Sequence, residues 1–191
     1  MTDPAMTGKP TYDRLADDAY FTPVWCTEAL LSKWRPNYQV WDPAAGHGHI
    51  VDVLDGADIP YTATDINEYV DLTRDIVIES ADFLKTNPYP AFNGPFAIIT
   101  NPPYYKAEQF VRCALQLTEP VRGSVAMLLR HEWDCAGGRK DLFVMPAFKM
   151  KIVLTKRPRW FADTTTSPRH NFAWFIWDWA SVGGAVLEYA P

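Results

Sequence analysis

Three short apolar runs in the first hundred residues each end on a polar side chain: residues 38–41 on Asp42, residues 61–64 on Asp65 and residues 96–100 on Asn101. A strand covered by helices on both faces reads as a continuous apolar run, and such strands belong to parallel sheets. Segments of helical spacing separate these runs. Thr22-Pro23 supplies a cap residue and a proline at the first helical position, followed by Leu30, Leu31 and Trp34 on an apolar side. Residues 49–54 begin a second helix, and residues 107–117 carry Phe110, Val111, Ala114 and Leu115 on one stripe. Residues 75–78 read as a third short strand and residues 124–129 as another buried one. This alternation predicts an α/β, Rossmann-like, doubly wound and mostly parallel sheet. The tail differs, because residues 149–155 and 172–179 are strands with no helix between them. They must pair antiparallel, so an antiparallel strand is expected at the C-terminal end of the sheet. With 191 residues, the expectation is one domain over 21–191, preceded by a flexible tail over 1–20.

The run ending at Asp42 breaks into Pro43-Ala44-Ala45-Gly46-His47-Gly48. Glycine is used where backbone turns sharply or a ligand lies against it, and the helix that follows offers unpaired N–H groups. Asp65 stands 19 residues after Gly46, where a carboxylate can accept hydrogen bonds from both hydroxyls of a ribose. Asp82-Phe83 comes next, an acceptor for an adenine amine beside a ring to stack on it. The turn has no Lys-Ser/Thr pair for a triphosphate, and Val51 stands where a dinucleotide fingerprint needs its third glycine. His47 and His49 have no cysteine or acid at ligand spacing and read as loop residues, so no metal is expected.

Asn101-Pro102-Pro103-Tyr104 directly follows the third run. Two prolines donate no backbone hydrogen bonds and hold the residue before them extended, so the turn presents carbonyl oxygens and a polar side chain. Such a turn can grip an NH₂ group. If the Asn101 side-chain oxygen and the Pro102 carbonyl accept its two protons, the nitrogen lone pair withdraws from conjugation and becomes nucleophilic. Tyr104 offers a flat face for a planar substrate, worth about 1–3 kcal/mol for a stacked base.

Charge is divided along the chain. Residues 1–100 carry 6 Lys/Arg against 15 Asp/Glu, whereas residues 101–191 carry 12 against 8. The basic second half suits an anionic partner, although chance would explain the asymmetry about as well. Of eight Trp, those at 160, 174, 177 and 179 make the C-terminal strands a packing or binding surface. The three cysteines, Cys26, Cys113 and Cys135, share no metal or redox spacing and read as reduced thiols of a cytoplasmic protein. No apolar run is long enough for a membrane span, and none reads as a signal peptide.

The order Phe21-Thr22-Pro23, Asp42-Pro-Ala-Ala-Gly-His-Gly, Asp65, Asp82-Phe83 and Asn101-Pro-Pro-Tyr resembles the amino-methyltransferases that act on adenine in DNA with S-adenosylmethionine (SAM). The stretch from Arg130 through Gly137-Gly138-Arg139 and Arg157-Pro158-Arg159 to 174–178 is similar to small phage and prophage members. The resemblance implies SAM as cofactor, with Phe21, Thr22 and Asp42 towards its methionine part. It also implies Ala44, Gly46 and Gly48 in the cofactor loop, Asp65 on the ribose and Asp82 and Phe83 on the adenine. Asn101, Pro102, Pro103 and Tyr104 become the catalytic turn. The product is then N6-methyladenine in DNA, from a flipped-out or single-stranded base.

Typical members carry a target-recognition domain, for which 191 residues leave no room. Selectivity would fall to the segments 130–140 and 156–169 or to a specificity-conferring protein partner. Arg139, Lys140, Arg157, Arg159 and Arg169 are the candidate phosphate contacts, with Trp160 or Trp133 to stack. RNA ranks below DNA as the acceptor. A protein glutamine amide ranks lower still, because such enzymes usually bring an N-terminal helical domain and only about 20 residues precede the motifs. Outside the enzymes, a SAM- or nucleic-acid-binding module without turnover is the competing class.

Overall fold

In a computed structural model of the chain, the described residues are 22–68, 76–85, 92–160 and 169–191. The expected tail over 1–20, Phe21 and the first residue of the expected strand at 75–78 lie outside them. Three strands form the middle of the sheet: β1 (Val40–Asp42), β4 (Ala97–Thr100) and β5 (Ser124–Arg130). β1 and β4 are buried at every position, as their unbroken apolar runs require. Alternate side chains go to opposite layers. Ile98, Val125, Met127 and Leu129 pack with Phe110, Val111, Ala114 and Leu115 of α3 (Ala107–Thr118). Ala97, Ile99, Ala126 and Leu128 pack with Cys26, Ala29 and Leu30 of α1 (Val24–Lys33) and with Ile50 and Leu54 of α2 (His49–Gly56). Each fully buried aliphatic contributes about 1.5–3 kcal/mol from removal of its surface from water, so burial anchors these strands firmly.

The remaining strands are β2 (Tyr61–Asp65), β3 (Ile78–Ser80), β6 (Phe148–Leu154), β7 (Phe172–Asp178) and β8 (Val186–Ala190), with a short α4 (Lys140–Val144) before β6. The sheet order is β3-β2-β1-β4-β5-β7-β6-β8. β7 pairs antiparallel with β5 and with β6, and every other pairing is parallel. The expected fold class holds, with a correction to its edge. The antiparallel strand is not at the end of the sheet but inserted between β5 and β6. β8 then extends the sheet beyond β6, and it was not foreseen, because four of its five residues are not buried and show no apolar alternation.

Two local expectations also shift. Pro23 is the N-cap of α1 rather than its first helical residue, and no side chain caps the helix. The C-terminal tryptophans divide by role. Trp174 and Trp177 are fully buried, their indole N–H groups donating to Cys26 O and Leu142 O, each at 2.7 Å. That surface is a packing surface. Among the described residues, no helix is long and apolar enough to cross a membrane.

Candidate active site

β1 pairs with β2 on one side and β4 on the other, all parallel, so their carboxyl ends open to the same edge of the sheet. The chain leaves β1 towards β2 and β3 and returns to β4 on the opposite side. This reversal creates the crevice in which open α/β sheets bind ligands. Thr22, Ala44, Gly46, Asp65, Asp82, Phe83, Asn101 and Pro103 line one open cleft there, enclosing about 830 Å³ including the solvent at its mouth.

The glycine turn is fastened to the end of β2. Ala45 N donates to Thr64 O at 3.0 Å, and Gly46 N donates to Asp65 Oδ2 at 2.9 Å. Asn67 N donates to Asp65 Oδ1 at 2.9 Å, so backbone N–H groups hold both carboxylate oxygens at the cleft wall. Gly46 and Gly48 have φ of 55° and 80°. Gly48 is the left-handed N-cap of α2 and does not line the cleft. A Cβ there would meet only Ile76 and Ile78 methyl carbons at ordinary distances of 3.5–3.6 Å, so the backbone angle rather than space calls for glycine.

Asp42 lies beneath the cleft rather than on its wall, with no exposed surface. Its Oδ1 accepts from Ala44 N at 3.2 Å, while Oδ2 has no hydrogen-bond partner among the described residues. Burial, with a smaller contribution from nearby Asp65, raises its carboxyl to about 7 against the opposing effects of the Thr100 hydroxyl and the Ala44 N–H. The Thr100 hydroxyl is close enough to favour the carboxylate but itself lacks hydrogen-bond geometry to any group.

Asp82 is poised differently. Burial opposes its ionisation, but the Lys85 ammonium at 3.0 Å, the Leu84 N–H and Lys106 outweigh it and hold the carboxyl below its ordinary value. Phe83 is 2% exposed, its ring packed against Trp41 at 5.2 Å and Phe110 at 4.9 Å. Little of that face is open for stacking. The exposed apolar surface of this end comes from Ile66, 51% exposed and directly after Asp65, and from Tyr105, while Phe110, largely buried, lines the cleft from α3. None of the three stood out in the sequence: Phe110 read as a helix core position, and only the adjacency of Ile66 to Asp65 was a usable signal.

At the end of β4, Asn101 and Pro103 face the cleft while Pro102 is buried. Tyr104 turns away from the cleft. Its hydroxyl donates to Asn101 Oδ1 at 2.9 Å, and its ring packs on Phe172 at 5.5 Å and Trp160 at 6.2 Å. Tyr105 and Lys106 line the cleft instead, with the ammonium 5.3 Å from the Tyr105 ring centre.

The segments 131–139 and 155–171 both leave the same carboxyl edge, since the first follows β5 and the second joins the end of β6 to the start of antiparallel β7. Residues 161–168 lie outside the described ones. Arg157, Arg159 and Arg169 are exposed on this edge, Lys140 is exposed at the start of α4, and Arg157 Nε donates to Asn171 Oδ1 at 2.8 Å. Two expected contacts need correcting. Arg139 donates to Trp133 O at 3.0 Å, with its guanidinium 4.3 Å from the Trp133 ring. Trp133 itself is buried against Phe143 and Phe175, so its ring is no platform for a base.

No family model and no curated protein sequence matches the chain. Solved structures do. The methyltransferase subunit of a type I restriction-modification system from Streptococcus thermophilus aligns with a TM-score of 0.59 and 15% identity, over 83% of this chain and 44% of that one. A Listeria monocytogenes protein assigned to the class I SAM-dependent methyltransferases aligns with a TM-score of 0.55 and 14% identity, over 87% and 62%. The 23S rRNA methyltransferase ErmE aligns with a TM-score of 0.53 and 21% identity, over 81% and 66%. The fold is that of the class I methyltransferases. The chain spans between 44% and 66% of the length of these three proteins, and at such identities the likeness is one of fold.

Proposed function

We propose that the chain is a SAM-dependent methyltransferase acting on the exocyclic N6 amine of adenine in DNA. The observation that carries this reading is the meeting of two independent motifs in one cleft: Asp65 and Asp82 on one wall, Asn101 and Pro103 on the other. The residues present suit the cofactor. Asp65, its carboxylate fixed at the cleft wall by two backbone N–H groups, accepts from the ribose; Asp82, held ionised, accepts from the adenine amine; Ile66 and Phe110 cover the purine faces. Thr22 serves the methionine end, and Asp42 acts from below as a counter-charge to its cationic groups. When bound, SAM supplies an electrophilic methyl group.

The chain's own part is to hold the acceptor nitrogen. The Asn101 side-chain oxygen and the Pro102 carbonyl accept the two N–H bonds of the amine and draw its lone pair out of the ring system. Asn101 Oδ1 accepts the Tyr104 hydroxyl at 2.9 Å, a contact that fixes which end of the amide is the oxygen. Tyr104, Trp160 and Phe172 line the side of the turn away from the cofactor cleft, where a planar base would enter. No strong base is needed, because the methylated nitrogen becomes acidic and loses its proton to water. Arg157, Arg159, Arg169 and Lys140 hold the strand by its phosphates, with selectivity from these loops or from a partner protein.

RNA is the second reading, favoured by the likeness to an rRNA methyltransferase. Incubation with isotopically labelled SAM and separate DNA, RNA and protein acceptors distinguishes them. Label in DNA is expected; label in RNA or protein and never in DNA overturns the proposal.

A further inference from the structure

Resting on the nucleic-acid reading above, we propose that Arg130 and His170 form a binding site for one phosphodiester group beside the Asn101 turn. Arg130 is the last residue of β5 and is half-buried. Its Nη1 lies 3.2 Å from His170 Nδ1. A guanidinium has no acceptor, so in this contact the histidine nitrogen accepts and the imidazole is neutral. Burial and the positive charge of Arg130, with Arg169 adding to them, lower His170 below its ordinary value, while Glu132 opposes them. Among the described residues, Arg130 makes no ion pair with a carboxylate. This sets it apart from Arg112, which is held by Glu108 and Asp141. It differs equally from Arg139, which is spent on Trp133.

Position makes the pair a site rather than an isolated charge. Arg130 is opposite Phe172 in the β5–β7 register, and the Phe172 ring packs on Tyr104. In the β4–β5 register Thr100 is opposite Met127, so Arg130 lies three residues further along, on the side to which the Asn101 turn projects. A backbone hydrogen bond from His131 N to Asn171 O, 3.0 Å long, fixes the two segments that carry the pair. The sugar of a base entering at Tyr104 would therefore carry its flanking phosphate towards Arg130. An anion arriving there accepts from the guanidinium and favours a proton on His170, which then donates as well. Binding takes up a proton, so affinity is highest below the midpoint of free His170 and declines as pH rises through the higher midpoint of the bound form.

Two measurements test this. In the first, the His170 imidazole resonance is titrated with pH in chloride and in inorganic phosphate at matched ionic strength. Its midpoint is expected to rise in phosphate, and Arg130→Gln to abolish the rise while Arg130→Lys retains part of it; an unmoved midpoint in the wild type overturns the proposal. In the second, single-stranded oligonucleotides with one adenine carry a neutral methylphosphonate at each position in turn. One position flanking the adenine should weaken wild-type binding and leave Arg130→Gln indifferent, with a salt dependence shallower by roughly 0.7 in log–log slope for the lost phosphate. Equal sensitivity of wild type and Arg130→Gln at every position overturns the proposal. Failure of the parent reading looks different: no methyl reaches nucleic acid, while the phosphate-linked shift of His170 persists.

Discussion

The two halves of the sheet reach the same edge by different means. On the β1–β3 side, function sits on strand ends and tight turns held by backbone hydrogen bonds: Gly46 to Asp65, Ala45 to Thr64, Asn67 to Asp65. On the β5–β8 side, the edge is built from long connections whose side chains meet across 14 to 40 residues, as in Arg157–Asn171 and Arg130–His170. The first half is acidic and the second basic. The cofactor end is thus fastened by backbone N–H groups to the ends of strands, whereas the acceptor end is held by contacts between side chains. Substitutions should divide accordingly, into those that abolish cofactor binding or chemistry and those that weaken only the acceptor.

The largest effect should come at the junction of the halves. Asn101→Ala is expected to cut turnover by about 10²–10³-fold, the scale seen when one pre-organised polar group at a reacting centre is removed. SAM affinity by calorimetry should stay within about twofold, because the proposed contacts to the ribose, adenine and methionine parts are made by Asp65, Asp82 and Thr22 rather than by Asn101. Comparable losses in both would join the halves that the account separates.

Asp65→Ala should follow. It removes the acceptor for the ribose and leaves Gly46 N and Asn67 N without their partner. A charge-assisted hydrogen bond contributes about 1.5–3 kcal/mol, so a loss of cofactor affinity of at least tenfold is expected. DNA binding measured without cofactor should be unchanged. Trp160→Ala tests the opposite half and should weaken acceptor binding by about 1–3 kcal/mol with SAM affinity intact.

A pH effect sharpens the first half alone. Burial raises Asp42 to about 7, so below that value the folded protein holds a proton on it. A cationic ligand in the cleft favours the carboxylate and expels that proton, so SAM should bind more tightly as pH rises through about 7 and level off above. Asp42→Asn should flatten the profile. The same shift bears on stability: the folded state binds the proton more tightly than the unfolded one, so stability falls as pH rises from about 4 towards 7. The variant should lack that slope in urea titrations at pH 5 and pH 8. The smallest effect is Arg139→Ala, which should cost about 1 kcal/mol of stability through the lost contact with Trp133 and barely alter DNA binding.

The division between the halves also governs what could be read from the residue order. Asp42, Asp65 and Asn101 were legible because each ends an apolar run, and parallel pairing then forces them to one edge. Gly48 was legible as a turn residue but not as one facing away from the cleft, since that depends on where the start of α2 points. The turning of Tyr104 on to Phe172 could not be foreseen, because its partner is 68 residues distant and no local pattern records the contact. The same holds for Trp133, whose burial under Arg139 is set by α4 and β7. β8 escaped notice because an edge strand exposed along most of its length carries no periodic signal.

Identification of the modified atom is the most direct test of methyl transfer to an exocyclic amine at the Asn101 turn. DNA incubated with the protein and SAM is digested to nucleosides and analysed by mass spectrometry against synthetic standards. The account predicts N6-methyldeoxyadenosine from the wild type and none from Asn101→Ala. A methyl group on a ring carbon, such as C5 of cytosine, or an Asn101→Ala enzyme of undiminished activity, would contradict it.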